Sequence, residues 1–80
     1  MSIHSNIVHQ YFKKEIEGSK IFIKLNPVHL NGHELIVYAN GQLEATDREF
    51  DETILDDLEV DGFNEVSGME YNLYLSGLAK

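Results

Sequence analysis

Cysteine is missing from this 80-residue chain. That excludes disulfides, thiolate metal sites and cysteine nucleophiles. Long apolar runs are missing too. The longest unbroken one is LIVYA at residues 35–39, far short of the roughly 20 residues a membrane helix needs. The start, MSIHSNIVHQYFKKEIEG, has no basic stretch leading into an apolar one, so no signal peptide is expected. Cytoplasmic placement and no membrane partner are the corresponding expectations. Basic residues are scarce in the second half. Residues 1–40 carry four lysines against three glutamates, whereas residues 41–80 carry two basic side chains against eleven acids. An acidic surface repels phosphate backbones, so nucleic acid is not the expected partner. A basic protein surface is the electrostatic complement.

Catalytic patterns are equally thin. Ser67-Gly68 and Ser76-Gly77 lack the strand–elbow–helix context of a nucleophile motif. No G-x-x-x-x-G-K is present to cradle a phosphate. Carboxylates are plentiful, but nothing in the sequence sets one in an apolar pocket that would raise its pKa. The expectation is therefore no enzyme and no cofactor.

What is present is a patterned, globular composition. The chain is 42% hydrophobic and 25% charged, with a formal net charge of −8, and no linker or repeat divides it. Residues 1–80 are expected to form a single domain. Residues 5–17 read as an amphipathic helix, capped by Ser5 and stopped by Gly18, with Ile7, Val8, Tyr11 and Phe12 on one arc. KIFIKL (20–25), HELIVYA (33–39) and QLEAT (42–46) read as strands. Asn31-Gly32 and Asn40-Gly41 suggest tight type I′ turns. Such turns pair Leu25 with Tyr38 and Tyr38 with Leu43. They place Ile21, Ile23, Leu25, Ile36, Tyr38, Leu43 and Ala45 on one face. Pro27 lacks an N–H and fits poorly inside such a hairpin, so the first turn could be a longer loop.

A second helix is expected after Thr46-Asp-Arg-Glu49, which matches a capping box, although Asp51 is a rival cap. Phe50, Ile54 and Leu58 lie at helical spacing, Glu49, Glu52, Asp56 and Glu59 fall opposite, and Asp61-Gly62 ends the helix. MEYNLYL (69–75) alternates and reads as a final strand. The expected fold is α+β, a two-layer sandwich of order α-β-β-β-α-β, with two helices packed on one face of an antiparallel meander.

The element order α-β-β-β-α over residues 5–59 resembles the double-stranded-RNA-binding domain. That family grips RNA with lysines at the start of its second helix. The corresponding stretch here, TDREFDE (46–52), is acidic, so the resemblance implies a topology and carries no function over.

Candidate sites follow from this frame. DLEVDG (57–62) sets Asp57, Glu59 and Asp61 like the opening of a calcium loop, but the position needing a bidentate glutamate is Gly68. His29 and His33 point to opposite faces in a tight hairpin, and His4 and His9 are separated on a helix, so no metal site is expected. With both helices on one face, the other is left open around Phe22, Leu35 and Val37, a mixed apolar patch of the kind that marks an interface. The expected partner-binding residues are Phe22, Leu35, Val37 and the acids Glu49, Glu52, Asp56 and Glu59. The function expected from the sequence is a small acidic protein-interaction or accessory domain, pairing with a protein partner or with itself as a homodimer. A nucleic-acid mimic that blocks a basic partner and a weak divalent-cation binder are the alternatives.

Overall fold

The structure, a computed structural model, describes residues 8–76. Its element order is β1 (Gln10–Ile16), β2 (Ser19–Asn26), β3 (Asn31–Val37), β4 (Leu43–Glu49), α1 (Ile54–Val60), β5 (Asn64–Val66) and α2 (Gly68–Leu75). The strands form one antiparallel sheet in the order β4-β3-β2-β1-β5. The expected α-β-β-β-α-β order is therefore incorrect, and the double-stranded-RNA-binding topology falls with it.

Most of the described part of the stretch expected to form a first helix is strand β1, Gln10–Ile16; residues 5–7 lie outside the described residues. Glu17 (φ 52°) and Gly18 (φ 85°) both adopt positive φ between the paired residues Ile16 and Ser19. This is the two-residue hairpin geometry whose twist matches that of its strands. Gly18 does end an element, but as a hairpin turn. The misleading feature of the sequence is that β1 is apolar on both sides. Tyr11 packs in one core cluster and Phe12 in the other. A strand covered on both faces loses its alternation, and its apolar residues then also fit one arc of a helical wheel.

The β2–β3 connection is the longer loop that Pro27 favours. Asn26 pairs with Asn31, and Asn26 Oδ1 accepts hydrogen bonds from the N–H groups of Val28 at 2.9 Å and His29 at 3.0 Å, an Asx turn. Asn31-Gly32 lies inside β3 and makes no turn. Ile21 pairs with Ile36, and Val37 pairs with Leu43, which replaces the expected Leu25–Tyr38 and Tyr38–Leu43 registers. At the second hairpin, Tyr38 N–H donates to the Gln42 carbonyl at 2.8 Å and Gly41 N–H to the Tyr38 carbonyl at 2.9 Å. Three residues span the turn instead of two, with Gly41 at φ 92°. That one-residue slip sends Leu43 and Ala45 to the face opposite Ile21 and Ile36.

The two helices cover opposite faces, so the two-layer arrangement with both on one side is also corrected. Residues 46–49, expected as a capping box, belong to β4; α1 begins later, with Thr53 as its cap residue. Leu58 of α1 packs with Ile23 and Leu25, joined by Phe12, Phe50, Ile54 and Phe63. Asp61-Gly62 ends α1 as expected. Gly62 (φ 92°) donates to the Glu59 carbonyl, and Phe63 N–H closes on the Leu58 carbonyl at 2.9 Å. This is a Schellman ending, with Phe63 and Leu58 as its apolar contact.

The segment expected to form a last strand is α2. Ser67 caps it, its hydroxyl accepting from Glu70 N–H at 3.2 Å. Tyr71 and Tyr74, three apart, land on Phe22 with ring centroids 6.0 and 5.2 Å away. Phe22, Leu35 and Tyr71 form the core of this face. The alternation that suggested a strand is coincidental, because Met69 is 73% exposed while Tyr71 is 2% exposed.

Candidate functional site

The two edges of the sheet differ. At one edge lies β5, only three residues long. At the other lies β4, seven residues long and exposed throughout. Among the described residues no strand pairs with its outer side. Its backbone directions follow from the ladder. Tyr38 pairs with Gln42, and Phe50 N–H donates to the Leu30 carbonyl at 2.8 Å. Inward hydrogen bonding alternates along an antiparallel strand. Glu44, Thr46 and Arg48 therefore bond to β3, while the N–H and C=O groups of Leu43, Ala45, Asp47 and Glu49 point away from the sheet. Those four residues present a row of donors and acceptors that no described strand uses.

The side chains of β4 divide by face. Leu43, Ala45, Asp47 and Glu49 share the α2 face, opposite Val37, Leu35, His33 and Asn31 in turn. Glu44, Thr46 and Arg48 lie on the α1 face. There Arg48 Nη1 bonds Glu34 Oε1 at 2.8 Å, and the Tyr38 hydroxyl donates to Glu44. The hydrogen bond to Glu44 is the main reason that the Tyr38 pKa is raised above its usual value.

Beside the edge on the α2 face is an open polar concavity of about 430 Å³, lined in part by His9, Lys24, His33, Asp47 and Glu49. Register explains it. Tyr11, Lys24, His33 and Asp47 form one row across four strands; Tyr11 packs against Tyr71 of α2, with ring centroids 5.3 Å apart, while His33 and Asp47 at the other end are exposed. His33 Nδ1 lies 2.8 Å from Asp47 Oδ1, with both side chains substantially exposed. Among the described residues that line it there is no serine, threonine or cysteine.

The residues singled out from sequence are scattered by this fold. Phe22 and Leu35 are fully buried beneath α2, and Val37 is partly buried beside them. The open sheet face they were to form is a core, because the second helix lies on it. Glu49 stands at the end of β4, Glu52 in the turn after it, and Asp56 and Glu59 on α1, all exposed. They do not share one helix face. Asp57 lies in the first turn of α1, Glu59 near its end and Asp61 at its C-cap. No group of three or more candidate ligands that could hold a metal ion occurs among the described residues. Of the residues proposed from sequence, only Glu49 lies on β4, while Leu35 and Val37 pair with it from β3. Leu43, Ala45 and Asp47 were missed as site residues. Their signal is the register, which one residue of loop length decides.

No helix among the described residues is long and apolar enough to cross a membrane. Comparison with protein-family models, curated proteins and solved structures finds no match to this chain.

Proposed function

We propose that this chain is a protein-interaction domain that accepts an extended strand along the outer side of β4. The observation that carries this reading is the seven-residue edge whose Leu43, Ala45, Asp47 and Glu49 direct backbone donors and acceptors to solvent. An incoming strand gains main-chain hydrogen bonds there, and alternate side chains supply selectivity. Leu43 and Val37, paired across the strands, offer apolar contact at one end. Asp47 and Glu49 favour basic side chains at the other. The net charge of −8 draws in a basic segment over a range set by ionic strength. The role is binding, without catalysis.

Titration with seven-residue peptides alternating lysine and valine, followed through backbone amide signals, tests the reading. Binding should move the signals of Leu43, Ala45, Asp47 and Glu49 and slow their hydrogen exchange. Ala45→Pro removes an outward N–H that the fold does not use and should abolish those changes while leaving the protein folded. Thr46→Pro removes an inward ladder bond and should cost about 3 kcal/mol of stability. Peptide binding that Ala45→Pro leaves unchanged would remove β4 as the site.

A further inference from the structure

Resting on that reading of β4, we infer that its occupant is a second copy of this chain, joined about a two-fold axis through Thr46. Backbone geometry limits the choices. A symmetric antiparallel pair of β4 strands must place outward-bonding residues opposite outward-bonding residues. A register centred on Thr46 does this. Leu43 exchanges hydrogen bonds with Glu49 of the second copy, and Ala45 with its Asp47. Thr46 meets Thr46 as a close, non-hydrogen-bonded pair, which suits two β-branched hydroxyl side chains.

Charge then selects among the permitted registers. Centring on Thr46 brings Glu44 opposite Arg48 of the second copy, and Arg48 opposite its Glu44. Both are non-hydrogen-bonded pairs, where side chains approach most closely. Arg48 already contacts Glu34 at 2.8 Å within its own chain, so each guanidinium would bridge two carboxylates. Centring on Glu44, Asp47 or Arg48 sets like charges directly opposite. Centring on Ala45 leaves Glu44 facing Thr46 and Arg48 facing Gln42, with no ion pair. Against the Thr46 register stand the repulsion between two copies that each carry a net charge of −8, screened at physiological salt, and a diagonal approach of the two Asp47 side chains, each 2.8 Å from its own His33. Among the registers centred on β4, the Thr46 register alone sets opposite charges directly across from each other, so the mixed charges of β4 favour that alignment and oppose open-ended edge pairing. The result is a continuous ten-stranded sheet with a β5 strand at each outer end.

The test uses two single variants of the full chain, Glu44→Arg and Arg48→Glu, in analytical ultracentrifugation near physiological salt. Wild type should self-associate to a dimer. Each variant alone faces like charges and should associate at least tenfold more weakly. Mixed in equal amounts, the two should recover a heterodimer, because both arginines of the first variant then face glutamates of the second. Amide exchange at Leu43, Ala45, Asp47 and Glu49 in wild type should slow as concentration rises. A wild-type protein that stays monomeric to millimolar concentration overturns the inference, as does a mixture no stronger than its components. Protection of those four amides that does not change with concentration also overturns it, since it would come from elsewhere in the same chain. If wild type is monomeric but the basic peptides still protect the four amides, the strand-accepting role of β4 stands and only self-pairing fails. If neither protects them, both fail.

Discussion

Gly32 shows how closely the backbones approach between β2 and β3. A Cβ built on it would sit 1.7 Å from the Lys24 carbonyl oxygen, a backbone atom that cannot swing aside. Gly32→Ala should therefore move the two strands apart and cost about 2–3 kcal/mol, within the range for overpacking. Gly41 has nothing within 4 Å of the same added atom and is constrained only by its φ of 92°, so Gly41→Ala should cost about 1 kcal/mol. Urea denaturation of the two variants gives the ordering directly. Tyr71 carries a pH effect. Burial, and then the neighbouring Tyr11, raises its pKa above the ordinary value of 10.0. In the folded protein the neutral phenol is favoured, so its stability contribution is complete below pH 10 and is lost as pH rises through the folded-state value. Chemical denaturation between pH 8 and 11 should show stability falling above about pH 10. Tyr71→Phe should flatten that fall.

At the scale of elements, α2 decides which face is open. Its hold on the sheet comes from Tyr71 and Tyr74 over Phe22, and from Lys13 Nζ reaching Glu70 Oε2 at 2.7 Å. Its start depends on Ser67. Ser67→Ala should lower stability by about 1 kcal/mol, or a melting temperature by about 4–8 °C, measured by circular dichroism. The fold was legible where one local signal was unopposed. KIFIKL formed a strand, Asp61-Gly62 ended α1, and the aliphatic side of β2 faced a helix. Ser67-Gly-Met-Glu70 has the S-x-x-E pattern of a capping box, yet the alternation of MEYNLYL competes with it. The first strand was illegible because Tyr11 and Phe12 serve different faces. The candidate site was largely illegible. Whether Leu43 and Ala45 face α1 or α2 depends on whether Asn40-Gly41 closes a two- or three-residue loop, and that dipeptide is compatible with both.

The whole molecule is a sheet with a small core on each side, each closed by a helix of seven or eight residues. Neither helix is long enough to be stable without its contacts. Folding should therefore be cooperative across the sheet, and Leu58→Ala should cost about 2–4 kcal/mol with the tyrosine signal and the helical signal lost together. Loss of the helical signal at lower urea than the tyrosine signal would contradict this. The surface carries a net charge of −8, so self-repulsion is part of the balance. Raising sodium chloride from 0.05 to 0.5 M shortens the Debye length to about 4–5 Å and should raise the melting temperature by several degrees, as read by calorimetry.

The pairing of β5 with β1 joins Asn64 to Lys13 and Val66 to Tyr11, so one side of the sheet waits for chain made much later. A ribosome releasing the first four strands exposes Phe22 and Leu35 without α2 to roof them. Synthesis adds roughly 5–20 residues per second, which leaves this oily surface bare for seconds in every round of translation. Nascent chains held with residues 50–63 at the tunnel exit, and α2 still inside, should therefore be the species that chaperones hold.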